Sequence, residues 1–294
     1  MANARVIVRR RKSVRNIRKI TRTMQLIATA RFQASLQRAM ATKPYSEKLA
    51  ELVADISRAA KNVSHPLMAS HPDVKRSALL IVTSNRGLCG SYNTNVLRLA
   101  LQSLTDLESR GTPADVYMVG KKGTNYFRFL RKPVHERVTN ITDAPRFDQV
   151  EPLANTLMGR FERGEIASVE VIYMRFHTMG QQRPHRLSLL PLRSEERKTT
   201  PESDQTSRQT EFEFSPAPKE LLDELLPAMV RMRLFQCFTD AAACEQIARM
   251  VAMKAATDSA GEMITTLTRK YNRARQTQIT MELLDIIGGA NALA

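Results

Sequence analysis

The chain has 294 residues, 43% of them hydrophobic, and a formal net charge of +16. That composition excludes a disordered polyelectrolyte and a collagenous or disulfide-framed chain, and the length suits one large domain or two smaller units. Trp is absent, aromatics make up 5% and there are 14 Met, a balance that favours long packed helices over an aromatic-rich β core.

The first predicted element is a basic helix. Ile17, Ile20, Met24 and Ile27 are spaced 3, 4 and 3, and Leu49, Leu52, Ile56, Ala59 and Val63 repeat the pattern, which reads as the seam of a coiled coil or long bundle helix. Pro44 between them predicts an irregularity or kink, and Pro66 and Pro72 stop the helix. Twelve basic residues, among them Arg5, Arg9, Arg10, Lys12, Arg15 and Lys19, precede the first acidic one, Glu47. Such a face attracts polyanions: nucleic acid, anionic lipid or an acidic protein. The start resembles a transit peptide in composition, but its helical periodicity continues unbroken. No secretory apolar core opens the chain, and no stretch is apolar and long enough to span a bilayer.

The middle alternates strands and helices. Residues 77–84 (SALLIVTS) hold a continuous apolar run bounded by polar residues, as a buried parallel strand requires. A helix over 95–110, a strand over 115–120, a helix from Lys121, a short strand at VHERV, a helix over 147–163 and strands over 168–176 and 186–192 follow. This order predicts a three-layer α/β domain. The tract 194–211 has the composition of a surface linker. Leu221, Leu222, Leu225 and Leu226 then open a second long helix, in which Pro227 is a kink or a start. Met250, Met253, Thr257, Ala260, Ile264, Leu267, Tyr271 and Ala274 hold a continuous 3-4 spacing. A helix from Leu221 to Ile287 is on the order of 100 Å long, beyond the reach of an ordinary domain, so the N-terminal helix is its natural antiparallel partner.

The expected architecture is therefore an antiparallel coiled coil of both termini with a Rossmann-like α/β domain inserted between them. The boundaries are an N-terminal shaft helix (1–64), an α/β domain (75–193), a polar linker (194–217) and a C-terminal shaft helix (218–294). The stretch from Leu283 to the C-terminus is nearly all apolar, and the question it raises is what it packs into.

Catalytic patterns are weak. The turn VTSNRGLCGSYNTN (82–95) follows a strand and precedes a helix, where α/β folds bind phosphates. It matches neither phosphate fingerprint, and neither does VGKKGTNYF (119–127). Gly87 and Gly90 read as turn residues, with Asn93 or Thr94 capping the next helix. No Ser/His/Asp set, carboxylate pair or metal-ligand spacing stands out. Cys89, Cys237 and Cys244 form no ligand pair and read as buried small residues, Cys237 and Cys244 on one helix face.

Four stretches carry a family resemblance. KSVRNIRKITRTMQLIATARF (12–32), SNRGLCGSYNTN (84–95) and the segment from Glu245 to Leu293 resemble the signatures of the gamma subunit of F-type ATP synthases, and FEFSPAPKELLDELLP (212–227) is similar to the segment leading into that family's last helix. The resemblance implies a non-catalytic central-stalk rotor without cofactor or metal. Its terminal helices turn inside a ring of alternating alpha and beta subunits, and its α/β domain sits at the foot against epsilon and the c ring. Proton flow drives the rotation, and rotation drives ATP synthesis at the beta sites. The apolar end would then sit in a hydrophobic bearing, where few charges means few ion pairs to break on each turn.

The resemblance also implies site residues. Arg9, Arg10, Lys12, Arg15 and Lys19 meet acidic loops of beta. Arg275, Gln276 and Thr280 match a polar cluster that bonds to alpha–beta loops, with Glu282 in the same segment and Met24 on the opposing helix near it. Phe212, Glu213 and Phe214 match the segment approaching the c ring. The chain lacks the cysteine pair of the light-regulated chloroplast type. The expected location is peripheral, on the cytoplasmic face of a bacterial membrane. The alternative left open is a basic coiled-coil nucleic-acid-binding protein, which explains the charge. A dinucleotide enzyme lacks its fingerprint.

Overall fold

A computed structural model describes residues 2–59, 65–192 and 217–293. Helix α1 runs Ala2–Ala59 and helix α5 runs Pro218–Leu293. Between them lie β1 (Ser77–Val82), α2 (Tyr92–Ser109), β2 (Ala114–Val119), α3 (Lys121–Phe129), β3 (Glu136–Val138), α4 (Phe147–Glu162), β4 (Ser168–Thr178) and β5 (Gln181–Leu190). The chain divides into two units. One combines Met1–Ala30 with Ala248–Ala294, and the other is Arg31–Ile247. Both long helices contribute to each unit, and both run through their internal prolines, Pro44 and Pro227, without a break.

The larger unit is built on a five-stranded sheet of order β3-β2-β1-β4-β5. β1 pairs in parallel with β2 and β4, β2 pairs in parallel with β3, and β4 and β5 form an antiparallel hairpin. All six residues of the central strand β1 are buried, which is why it reads as an unbroken apolar run. On one face Ala78, Leu80, Val82, Tyr117, Val119, Val169 and Val171 join a core with α4, the end of α1 and the first half of α5. Leu79, Ile81, Met118 and Ile172 point the other way by strand alternation, and α2 and α3 pack on the sheet there. Helices on both faces make the three layers expected. β5 starts at Gln181, earlier than the apolar run at 186 announced, because its first half is a half-exposed edge carrying Arg183 and Pro184.

Polar groups are matched where the layers meet. The Arg160 guanidinium donates to Asp115 (2.8 Å), to the Tyr117 hydroxyl (2.6 Å) and to Glu165 (3.0 Å). Burial works against its charge, but those three bonds outweigh it and raise its pKa. Arg186 grips Glu170 with two bonds of 2.6 and 2.7 Å across the hairpin. The three cysteines are free and buried. Burial, then the charge of Asp240, pushes the Cys237 thiol up to about 12.

The turn after β1 is closed by side chains. Asn93 accepts from the Ser84 N–H (3.0 Å) and donates to the Ser84 hydroxyl (2.8 Å) and the Cys89 sulfur (3.2 Å). Asn93 is therefore not the helix cap expected of it: α2 begins at Tyr92 with Ser91 before it, and Asn93 ties the first turn back to the strand. The Thr83 hydroxyl donates to the Val119 carbonyl (2.6 Å) and accepts from the Gly123 N–H (3.0 Å). Gly120 sits at φ +91°, and a Cβ there would stand 2.2 Å from the Thr83 carbonyl oxygen, so only glycine fits.

Candidate functional site

The residues singled out on the two terminal helices fall in the smaller unit. Its helices are antiparallel: Thr21 meets Thr257, Arg18 lies against Gly261, and Arg11 stacks over the Tyr271 ring at 5.1 Å. Val14, Ala260 and Leu267 form a buried cluster flanked by Ile7 and Ile264. On α5 the packed side is the one the 3-4 spacing marks, from Met253 through Thr257, Ala260 and Leu267 to half-buried Tyr271 and Ala274.

On α1 the seam is not where the isoleucines put it. Ile17, Ile20 and Ile27 are about half exposed, at 51%, 59% and 48%, and Met24 is half-buried. The buried positions of this segment are Val14, Thr21 and Ala28, one heptad apart. Small side chains and a paired hydroxyl let the helices approach, which leaves the larger apolar residues on the outer side. Leu52 is likewise exposed while Val53 is buried.

Arg9, Arg10, Lys12, Arg275, Gln276, Thr280 and Glu282 are all exposed. Arg275 and Gln276 thus do not interrupt the packed seam; Ala274 and Gln278 hold the inner positions. Thr280 donates to the Gln276 carbonyl (3.0 Å), and Gln278 donates to Glu282 (2.8 Å). The Arg11–Tyr271 contact puts Arg9, Arg10 and Lys12 within a few residues of the level of Arg275. Met24 is elsewhere. From the Thr21–Thr257 level it stands about 30 Å along the axis from Arg275, at ~1.5 Å per residue, so it is not part of that cluster. Phe212, Glu213 and Phe214, and the linker but for Ala217, lie outside the described residues.

Two surface properties define this unit. It carries fifteen of the 45 Lys and Arg residues but only four of the 29 Asp and Glu, a strong positive field around the shared level. Beyond Gln278 the helix leaves its partner. Ile279, Met281, Leu283, Leu284, Ile286 and Ile287 are 48–71% exposed, a contiguous apolar end on which nothing packs among the described residues. Among the described residues no cluster of three His, Cys, Asp or Glu could hold a metal ion, and no helix is long and apolar enough to cross a membrane.

Comparison with known proteins identifies the family. A family model described as ATP synthase matches residues 3–293. The ATP synthase gamma chain of Rhodopirellula baltica is 42% identical over 296 residues, covering 100% of this chain and 99% of that one. The gamma chain of a Nocardioides species is 43% identical over 287 residues, covering 96% and 94%. Among solved structures, a chain of the Euglena gracilis mitochondrial ATP synthase OSCP/F1/c-ring assembly superposes with a TM-score of 0.68 at 19% identity, covering 99% of this chain and 95% of that one. A chain of the rotor of the same enzyme gives 0.63 at 16% identity, covering 95% and 99%. These structures share the fold. The chain belongs to the ATP synthase gamma-chain family.

Proposed function

We propose that this chain is the non-catalytic rotor of an F-type ATP synthase, coupling proton flow through a c ring to ATP synthesis at alpha–beta sites. The observation that carries the reading is the exposed apolar end beyond Gln278, on a two-helix unit that keeps further isoleucines outside its own seam. Leaving some 50–70% of six large apolar residues in water is unfavourable by about 1 kcal/mol or more apiece, a cost that a surrounding sleeve removes. An apolar sleeve contact is also smooth in energy, whereas buried ion pairs make deep local wells. A nucleic-acid surface accounts for the charge but has no use for that end.

In this reading Arg9, Arg10 and Lys12 face acidic loops of beta. Each pair is worth about 1 kcal/mol in water and ~4 kcal/mol at an effective dielectric of 20, enough to bias orientation and too little to lock it. Arg275, Gln276 and Thr280 offer outward donors to alpha–beta loops, with Glu282 beside them. The sheet unit is the foot, against epsilon and the c ring, with Phe212, Glu213 and Phe214 approaching the ring. A structurally similar chain comes from an OSCP/F1/c-ring assembly, which supports these partners. The bacterial relatives support a peripheral position on the cytoplasmic face of the cell membrane. Mixing the purified chain with alpha and beta subunits tests the reading. One copy in a stable complex with multisite ATPase activity is expected; a well-folded chain that joins no complex overturns it.

A further inference from the structure

Within the larger unit, a cleft of about 590 Å³ opens beside the carboxyl ends of the parallel strands β1, β2 and β3. Its wall includes Arg31 and Arg38 of α1, Arg86 of the β1–α2 turn and Lys121 at the start of α3. We propose that this cleft binds a small phosphate-bearing anion, a pyrophosphate or nucleoside diphosphate, at a site separate from the shaft surfaces.

Three observations lead there. First, the charge is unbalanced. The lining holds four cations and one carboxylate, Asp143, which Arg31 and Arg86 approach at 3.6 and 3.7 Å. Arg38 and Lys121 have no acidic partner among the described residues. Cations gathered around a concave surface concentrate anions there. Second, Ser35 lines the cleft, and its hydroxyl has no hydrogen-bond partner among the described residues. A hydroxyl open to the cleft is free to donate to a bound oxyanion. Third, the position is the end of a parallel sheet at which α/β folds take ligands, and the volume lies in the range of small-molecule sites.

The mode differs from a phosphate cradle. The first N–H groups of α3 are already used: Lys121 donates to the Asn85 side chain (3.4 Å), Lys122 to the Ser84 carbonyl (3.1 Å) and Gly123 to Thr83. Recognition therefore falls to side-chain cations and the Ser35 hydroxyl, which explains why the sequence carries no glycine-rich phosphate fingerprint.

The test is calorimetric titration of the full-length chain, at about 0.15 M salt to screen diffuse attraction, with inorganic pyrophosphate and separately with ADP. Saturable one-to-one binding is expected, weakened about tenfold by Arg38→Gln and by Lys121→Gln, as loss of one charge-assisted contact implies. Arg9→Gln removes the same charge from the smaller unit and should leave the affinity unchanged. Equal affinity for both ligands assigns binding to the phosphoryl oxygens, and tighter ADP binding adds the nucleoside. No saturable binding of either ligand, or the same loss in Arg9→Gln as in Lys121→Gln, would overturn the proposal.

Discussion

The hydroxyls of Thr21 and Thr257 lie 2.8 Å apart across the buried seam of the two-helix unit. Each also lies within hydrogen-bond distance of a carbonyl of its own helix, Arg18 at 3.1 Å and Met253 at 2.8 Å, so Thr257 divides its one proton between Thr21 and Met253. The pair sets the register of the antiparallel helices at a level where neither side chain is large.

Thr257→Val should therefore lower stability by about 1 kcal/mol, since one partner of a buried bond is lost. Thr21→Val should do the same, and the double variant should recover much of the loss because no polar group is left facing an apolar one. Urea melts of the four proteins give the coupling; strictly additive losses would mean the hydroxyl contact does not form.

Two glycines should respond in opposite directions. At Gly261 a Cβ meets Arg18 only at an ordinary 3.8 Å, so Gly261→Ala should stabilise the helix by up to about 1 kcal/mol. At Gly120 a Cβ collides with backbone and φ is positive, so Gly120→Ala should cost several kcal/mol, on the order of the largest single-residue losses. Thermal melts with the same sign for both would refute the geometry.

Cys237 should resist alkylation at neutral pH in the folded chain and react on unfolding. Its folded pKa, about 12, lies above the ordinary 9.0, so between these values the unfolded chain has released a proton that the folded chain keeps. This contribution to stability is fully present below pH 9 and falls as pH rises from about 9 towards 12. Stability measured against pH in parent and Cys237→Ala should diverge in that window; parallel curves would show that the thiol does not titrate as described.

Arg275→Ala should weaken the coupling of proton transport to ATP turnover while leaving the melt within about 0.5 kcal/mol of the parent, because the side chain is exposed. Proton pumping per ATP in sealed vesicles measures this, and unchanged coupling would remove Arg275 from the proposed contact.

Much of the fold was legible because burial and periodicity agreed. β1 is apolar from Ala78 to Val82 since both its faces are covered, and the α5 seam is marked by Met253, Ala260 and Leu267 at regular spacing. α1 misled for a physical reason. Its largest apolar residues, Ile17, Ile20 and Ile27, lie outside, while the seam uses Val14, Thr21 and Ala28. Hydrophobicity ranks the isoleucines first, but close helix approach selects small side chains. In the rotor reading the outer stripe serves a different surface, so α1 carries two apolar faces and periodicity alone does not say which is internal. Arg275 and Gln276 lie on the outer side of α5, since Ala274 and Gln278 take the inner one. The cleft left no motif at all, because Ser35, Arg38 and Lys121 are brought together only by the packing of α1 beside the sheet ends.

Rotation of this chain within the complex can be followed with a single probe. The three native cysteines are buried, so Ser109→Cys, on the exposed end of α2, offers one reactive thiol for a light-scattering particle. In a surface-fixed complex with alpha and beta subunits, ATP should drive stepwise rotation of the particle in one direction. A particle that stays fixed while the complex hydrolyses ATP at its full rate would contradict the account.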